Sequence, residues 1–113
     1  MAPIKDESCL QLHKGDPSLS EDEISDLLPQ VPDWTIFAVD GIKRLERTFK
    51  FNNFVQALAF TNRVGEISEE QDHHPALLTE WGKATVTWWT HIVSGLHRND
   101  FIMAAKTDAL YLE

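Results

Sequence analysis

The sequence holds one cysteine, Cys9, so it cannot close an internal disulfide, which fits a reducing compartment. No apolar run approaches the ~20 residues that a membrane-spanning helix needs. The opening residues, MAPIKDESC, lack the apolar stretch of a secretory signal. A soluble, cytoplasmic protein is expected. Positive charge is scarce as well: 10 Lys and Arg stand against 18 Asp and Glu, for a net charge of −8. The basic residues form no stripe, and a phosphate backbone requires a basic face, so nucleic acid is not expected as a direct partner. There is no internal repeat and no low-complexity tract. Nor is there a His-Glu-x-x-His motif or a second cysteine to support a metal centre. A zinc set of Glu69, His73, His74 and His91 is disfavoured further, because adjacent residues of an extended chain point opposite ways.

What is present suits one compact domain. The chain has 113 residues, of which 42% are hydrophobic, enough for a core. Residues 1–18 are polar and aperiodic, with Gly15 and Pro17, and read as a flexible arm; residues 19–113 read as the domain. Ser20-x-x-Glu23 is a capping box. It opens a short helix bearing Ile24, Leu27 and Leu28, which Pro29 and Pro32 end.

The segment WTIFAVDGIKRLERTFKF carries Asp40-Gly41 at its middle, the mark of a two-residue hairpin. Phe37, Val39, Leu45, Phe49 and Phe51 are expected on one face, with Arg47 interrupting the row. NNFVQALAFTNRVGEISEEQ has helical spacing at Phe54, Leu58, Thr61, Val64 and Gly65. Asn52 or Asn53 caps it, and it should stop before His73. ALLTEWGKATVTWWTH reads as a second hairpin turning at Gly82-Lys83. Val86, Trp88 and Thr90 would then share one face, and Thr85, Thr87, Trp89 and His91 the other. The last helix should start with Asn99 as cap and Asp100 in its first turn. The order is helix, strand, strand, helix, strand, strand, helix. It predicts an α+β fold: a four-stranded antiparallel-type sheet with helices on one face.

The chemistry concentrates in histidines. EEQDHHPALLTEW, residues 69–81, places His73 and His74 at a helix–strand joint, behind Glu69 and Asp72. Pro75 holds His74 in extended backbone. An imidazole both gives and takes protons near neutral pH, so the pair is a candidate for acid–base work. His91 lies nine residues before Asp100, and the short Ser94-Gly95-Leu96 link would let the two meet, with the carboxylate fixing the imidazole's tautomer. His13 falls in the arm and reads as a bystander, and His97 reads as a helix-end residue. Trp81, Trp88 and Trp89 read first as sheet packing.

This spacing resembles the pterin-4a-carbinolamine dehydratase family. The likeness rests on Glu69, then His73-His74-Pro75, Trp81, His91 and Asp100. It extends from about Ser20 to Leu110 and takes in the PDW before the first hairpin and the LAFTNRVGEISEE helix. LLTEWGKATVTWW and GLHRNDFIMAA look most like bacterial members found beside phenylalanine hydroxylase.

The resemblance implies dehydration of 4a-hydroxytetrahydropterin to quinonoid dihydropterin. That reaction recycles the pterin of aromatic amino acid hydroxylases, with neither a metal nor a redox cofactor. It implies proton transfer by His73 and His91, and pterin holding by His74. Glu69 and Asp100 would orient the imidazoles, and Trp34 and Trp81 would wall the pterin ring. Self-association as a homodimer or homotetramer is also implied, through the sheet and a last helix bearing Phe101, Ile102 and Leu110. Many relatives carry Ser or Thr three residues before the final Asp, where this chain has His97. A second class of role comes with the likeness: some animal relatives act as dimerisation cofactors for a homeodomain transcription factor, and others of the fold serve in protein assembly.

Overall fold

The first helix starts as its sequence dictates. The Ser20 hydroxyl accepts from the Glu23 amide at 3.2 Å, and the Glu23 carboxylate accepts from the Ser20 amide at 2.9 Å. Two of the helix's orphan donors are thereby satisfied. This computed structural model describes residues 3–111. Its elements are α1 (Glu21–Leu27), β1 (Thr35–Val39), β2 (Ile42–Lys50), α2 (Phe54–Gln71), β3 (Ala76–Glu80), β4 (Lys83–Trp88) and α3 (Arg98–Tyr111). The strands form one antiparallel sheet in the order β1-β2-β4-β3. β4 lies between β2 and β3, so α2 carries the chain across one strand position. The fold is α+β, as the element order predicts.

One sheet face carries the core. Leu45, Phe49, Val86 and Trp88 meet Phe60 and Val64 of α2 and Phe101, Met103 and Ala104 of α3. Asn53 caps α2 by accepting from the Gln56 amide at 2.9 Å. At the other end Asp72 takes the left-handed conformation, φ 53°, and the His73 amide reaches back to the Ser68 carbonyl at 3.1 Å. This closure ends the helix and sets the direction in which His73 and His74 leave it.

Phe37 and Val39 do not join the row of Leu45 and Phe49. The Asp40-Gly41 turn pairs Val39 with Ile42, so Leu45 faces Ile36 and Phe37 faces Arg44. A two-residue turn makes odd positions of β1 pair with even positions of β2, and Phe37 and Val39 therefore fall on the open face. Arg47 does lie on the covered face. Its guanidinium sits 4.4 Å from the Phe49 ring centroid and binds Asp108 at 2.7 Å. The second hairpin turns at Trp81-Gly82, one residue before the expected Gly82-Lys83, because Glu80 pairs with Lys83. Phe101 and Ile102 are buried in the protomer's own core, which withdraws them from any contact between copies.

The segment expected to be a loose arm is packed against the domain. Ile4 is buried in the core, the Glu7 carboxylate takes two hydrogen bonds from Arg98, and the Cys9 amide donates to Gln71 at 2.9 Å. Asn99 accepts from the Leu10 amide and donates to the Leu10 carbonyl, each at 2.9 Å. Polar composition concealed this docking because the arm is held largely through backbone groups, which every sequence possesses.

Candidate active site

Three loops meet where α2 ends, β4 ends and α3 begins. They enclose a cleft of about 690 Å³ lined by His73, His74, His91, Trp89, Thr90 and residues 9–12, among others. The three histidines singled out by spacing therefore face one cavity.

Each histidine is held differently. His73 turns inward, with its side chain 11% exposed, and its Nε2 lies 2.7 Å from an oxygen of the fully buried Asp100. The other Asp100 oxygen accepts from the Thr90 hydroxyl at 2.7 Å and the His97 amide at 3.0 Å. A carboxylate that accepts from all its neighbours fixes the proton of His73 on Nε2 and leaves Nδ1 for exchange. Behind it, the His73 ring stacks on Trp88, with centroids 5.6 Å apart and planes 6° from parallel. His74 turns outward, 56% exposed, and its Nε2 is hydrogen-bonded to Glu69. Opposite orientations are what an extended His-His pair before proline must give.

The expected pairing of His91 with Asp100 does not form. Thr90 and Gly95 bridge each other through their backbones, the Thr90 amide donating at 2.9 Å, and this closes a tight loop over residues 91–94. Thr90 is thereby the residue that faces the first turn of α3. His91 opens a 3₁₀ turn instead and lies beside Trp89, with ring centroids 5.0 Å apart.

The aromatic expectations also change. Trp34 is 3% exposed, packs edge-on against Phe49 and donates its indole N–H to Asp108 at 2.8 Å, so it belongs to the core. Trp81 is 73% exposed at the tip of the β3–β4 hairpin. The five residues of β3 put it on the order of 15 Å from the cleft. Neither lines the cavity. The tryptophan that does is Trp89, with the Arg44 guanidinium stacked 4.0 Å from its ring. Strand parity had already placed Trp89 with His91.

Asn99 is not the cap of α3. That place belongs to His97, whose Nδ1 accepts from the Asn99 amide at 3.0 Å while its own amide donates to Asp100. Burial lowers the His97 pKa, and His73 adds to this, while Asp100, Asp16 and Glu23 act in the opposite direction. The cap needs an unprotonated Nδ1. The folded state therefore binds this proton less readily than the unfolded chain. The resulting stability is full above the unfolded value of about 6.5 and is lost as pH falls from there through the lower folded value. His97→Thr, which caps without titrating, is expected to flatten the decline in melting temperature below neutrality. An identical pH profile in the variant would remove His97 as its cause.

Comparison with known proteins agrees with the geometry. The family model described as Pterin 4 alpha carbinolamine dehydratase matches residues 17–110. A relative from Nitrosococcus oceani is 63% identical over 94 residues, 83% of each chain. One from Syntrophotalea carbinolica is 52% identical over 110 residues, 97% of this chain and 98% of its own. Each carries the description "Putative pterin-4-alpha-carbinolamine dehydratase". The crystal structure of a transcriptional coactivator/pterin dehydratase from Brucella melitensis superposes with a TM-score of 0.75 and 32% identity, over 83% of this chain and 98% of that one. A pterin dehydratase-like protein described as a RuBisCO assembly factor in the alpha-carboxysome shares the fold, with a TM-score of 0.60 at 22% identity, over 70% and 89% of the two chains. With a family match covering most of its length and relatives above half identity, this chain belongs to the pterin 4 alpha carbinolamine dehydratase family.

Proposed function

We propose that the protein dehydrates 4a-hydroxytetrahydropterin to quinonoid dihydropterin by histidine acid–base catalysis. The observation that carries this reading is the buried Thr90–Asp100–His73 relay, set in a cleft that also holds His74 and His91. In the reaction the C4a–O bond breaks, the hydroxyl departs with a proton as water, N5 gives up its proton, and the C4a–N5 double bond forms. One acid and one base suffice, and the electrons balance without an oxidant.

His73 and His91 are the proton carriers of this scheme. Asp100 stabilises the imidazolium of His73. His74, anchored by Glu69 at the cleft's rim, holds and polarises the ring, and Trp89 supplies the flat wall first sought in Trp34 and Trp81. The physiological role would be recycling the pterin of aromatic amino acid hydroxylases, phenylalanine hydroxylation among them. Self-association as a homodimer or homotetramer goes with this reading. Phe54, Val55 and Leu58 on α2, with Leu77 and Leu78 on the edge strand β3, offer exposed apolar contact area.

The test is stopped-flow absorbance of freshly generated 4a-hydroxytetrahydropterin, with and without protein. Rapid, protein-dependent formation of the quinonoid form is expected. Spontaneous rates in the presence of folded protein would overturn the proposal. The alternative, a protein-interaction module on the same fold, would then lead, in keeping with the coactivator description of the Brucella protein.

A further inference from the structure

Residues 9–12 precede the stretch matched by the family model, residues 17–110, yet they line the cleft together with the histidines. The Syntrophotalea relative aligns over 97% of the chain, so some relatives carry a counterpart of this segment. The Brucella structure is 98% covered by only 83% of the chain. The segment thus lies outside the stretch that the family model matches, and it is firmly seated. The buried Asn99 amide spends both its oxygen and its nitrogen on the backbone of Leu10, and Gln71, at the end of α2, holds the Cys9 amide. Both anchors sit beside catalytic machinery: Asn99 precedes Asp100, and Gln71 lies two residues before His73.

A clamp made through main-chain atoms leaves the side chains of Leu10, Gln11 and Leu12 free to vary without loosening the segment. Leu10 is largely exposed although it lines the cleft. An exposed apolar side chain at the wall of a histidine-lined cavity is suited to contact with a ligand.

The chemistry indicates which part of the ligand it would meet. The reacting atoms of the proposed substrate are C4a and N5, and the variable substituent of a pterin is carried on C6, bonded directly to N5. When N5 is presented to the histidines, the element next to them receives the C6 substituent. We propose that residues 9–12 form a substrate-selecting wall that reads the C6 substituent of a bound pterin. This rests on the dehydratase reading of the same cleft and adds its specificity element.

Cys9 allows a direct test on the intact chain. It is the sole cysteine, it lines the cleft, and burial raises its thiol pKa to about 11, so its alkylation is slow enough to follow by hand. The rate of N-ethylmaleimide addition would be measured with and without 7,8-dihydrobiopterin, with binding measured on the same samples by calorimetry. With pterin at ten times its Kd, about nine-tenths of the protein is occupied, and alkylation should slow about tenfold. Calorimetric binding with an unchanged alkylation rate overturns the wall and leaves the dehydratase reading standing. No pterin binding by the intact protein overturns both.

Side-chain selection is tested by the double variant Leu10→Ala/Gln11→Ala, which keeps both backbone bonds to Asn99. Its KM should rise more than its kcat falls. The KM ratio between 6-methyl and 6-dihydroxypropyl substrates should shift, by up to about tenfold. An unchanged ratio in a variant of normal melting temperature refutes selection by these side chains.

Discussion

His73→Ala is expected to lower the turnover of 4a-hydroxytetrahydropterin by about 10²–10⁴-fold, the range for loss of a positioned acid or base. The size of the effect follows from how the ring is held. Asp100 fixes its tautomer, Trp88 fixes its plane, and only Nδ1 is left for exchange. Neither of the other two cleft histidines stands in that position, because His74 points outward to Glu69 and His91 lies beside Trp89. Stopped-flow traces under single-turnover conditions would separate this loss from weaker binding. His74→Ala should raise KM more than it lowers kcat, since the ring is half exposed and its proposed role is to hold the substrate. Wild-type turnover in His73→Ala would dismiss the relay.

Asp100→Ala should be the most destabilising change in the site. The carboxylate is fully buried and serves three donors: His73 Nε2, the Thr90 hydroxyl and the His97 amide. Removing one partner of such a buried set costs about 3–5 kcal/mol. Folded domains have only about 5–15 kcal/mol to lose, so part of the variant could unfold outright. Asp100→Asn keeps the volume and should retain the fold. It still loses kcat, because its N–H₂ group must face one of the donors. The measurement is urea unfolding of both variants beside their single-turnover rates. A loss below about 1 kcal/mol in Asp100→Ala would mean that water replaces the carboxylate without penalty.

The architecture was legible because its signals are local. Ser20 and Glu23, Asp40-Gly41, the run from Phe54 to Gln71 and the Thr-Val-Trp strand each act within a few residues. The histidines were legible for the same reason: a helix end followed by His-His-Pro determines where two side chains go. What was hidden depended on register. The first hairpin's turn shifted Phe37 and Val39 to the other face by one residue. The Thr90–Gly95 bridge likewise gave Asp100 to Thr90 and, across the fold, to His73, and left His91 at Trp89. Tryptophans could not be sorted by residue type. Trp34 is buried because Asp108, 74 residues away, accepts its indole N–H, and no local pattern announces that partner. The arm escaped notice because its anchor, Asn99, read as an ordinary cap.

The parallel stack of His73 on Trp88 also gives the molecule an optical indicator. A protonated imidazole quenches the emission of an indole in contact with it, and a neutral one does so far less. Trp88 lies parallel to the His73 ring and is sealed from solvent, so its emission is expected to respond to charge on that ring. With Trp34, Trp81 and Trp89 replaced by phenylalanine, Trp88 would report on that ring by light, with no dye attached.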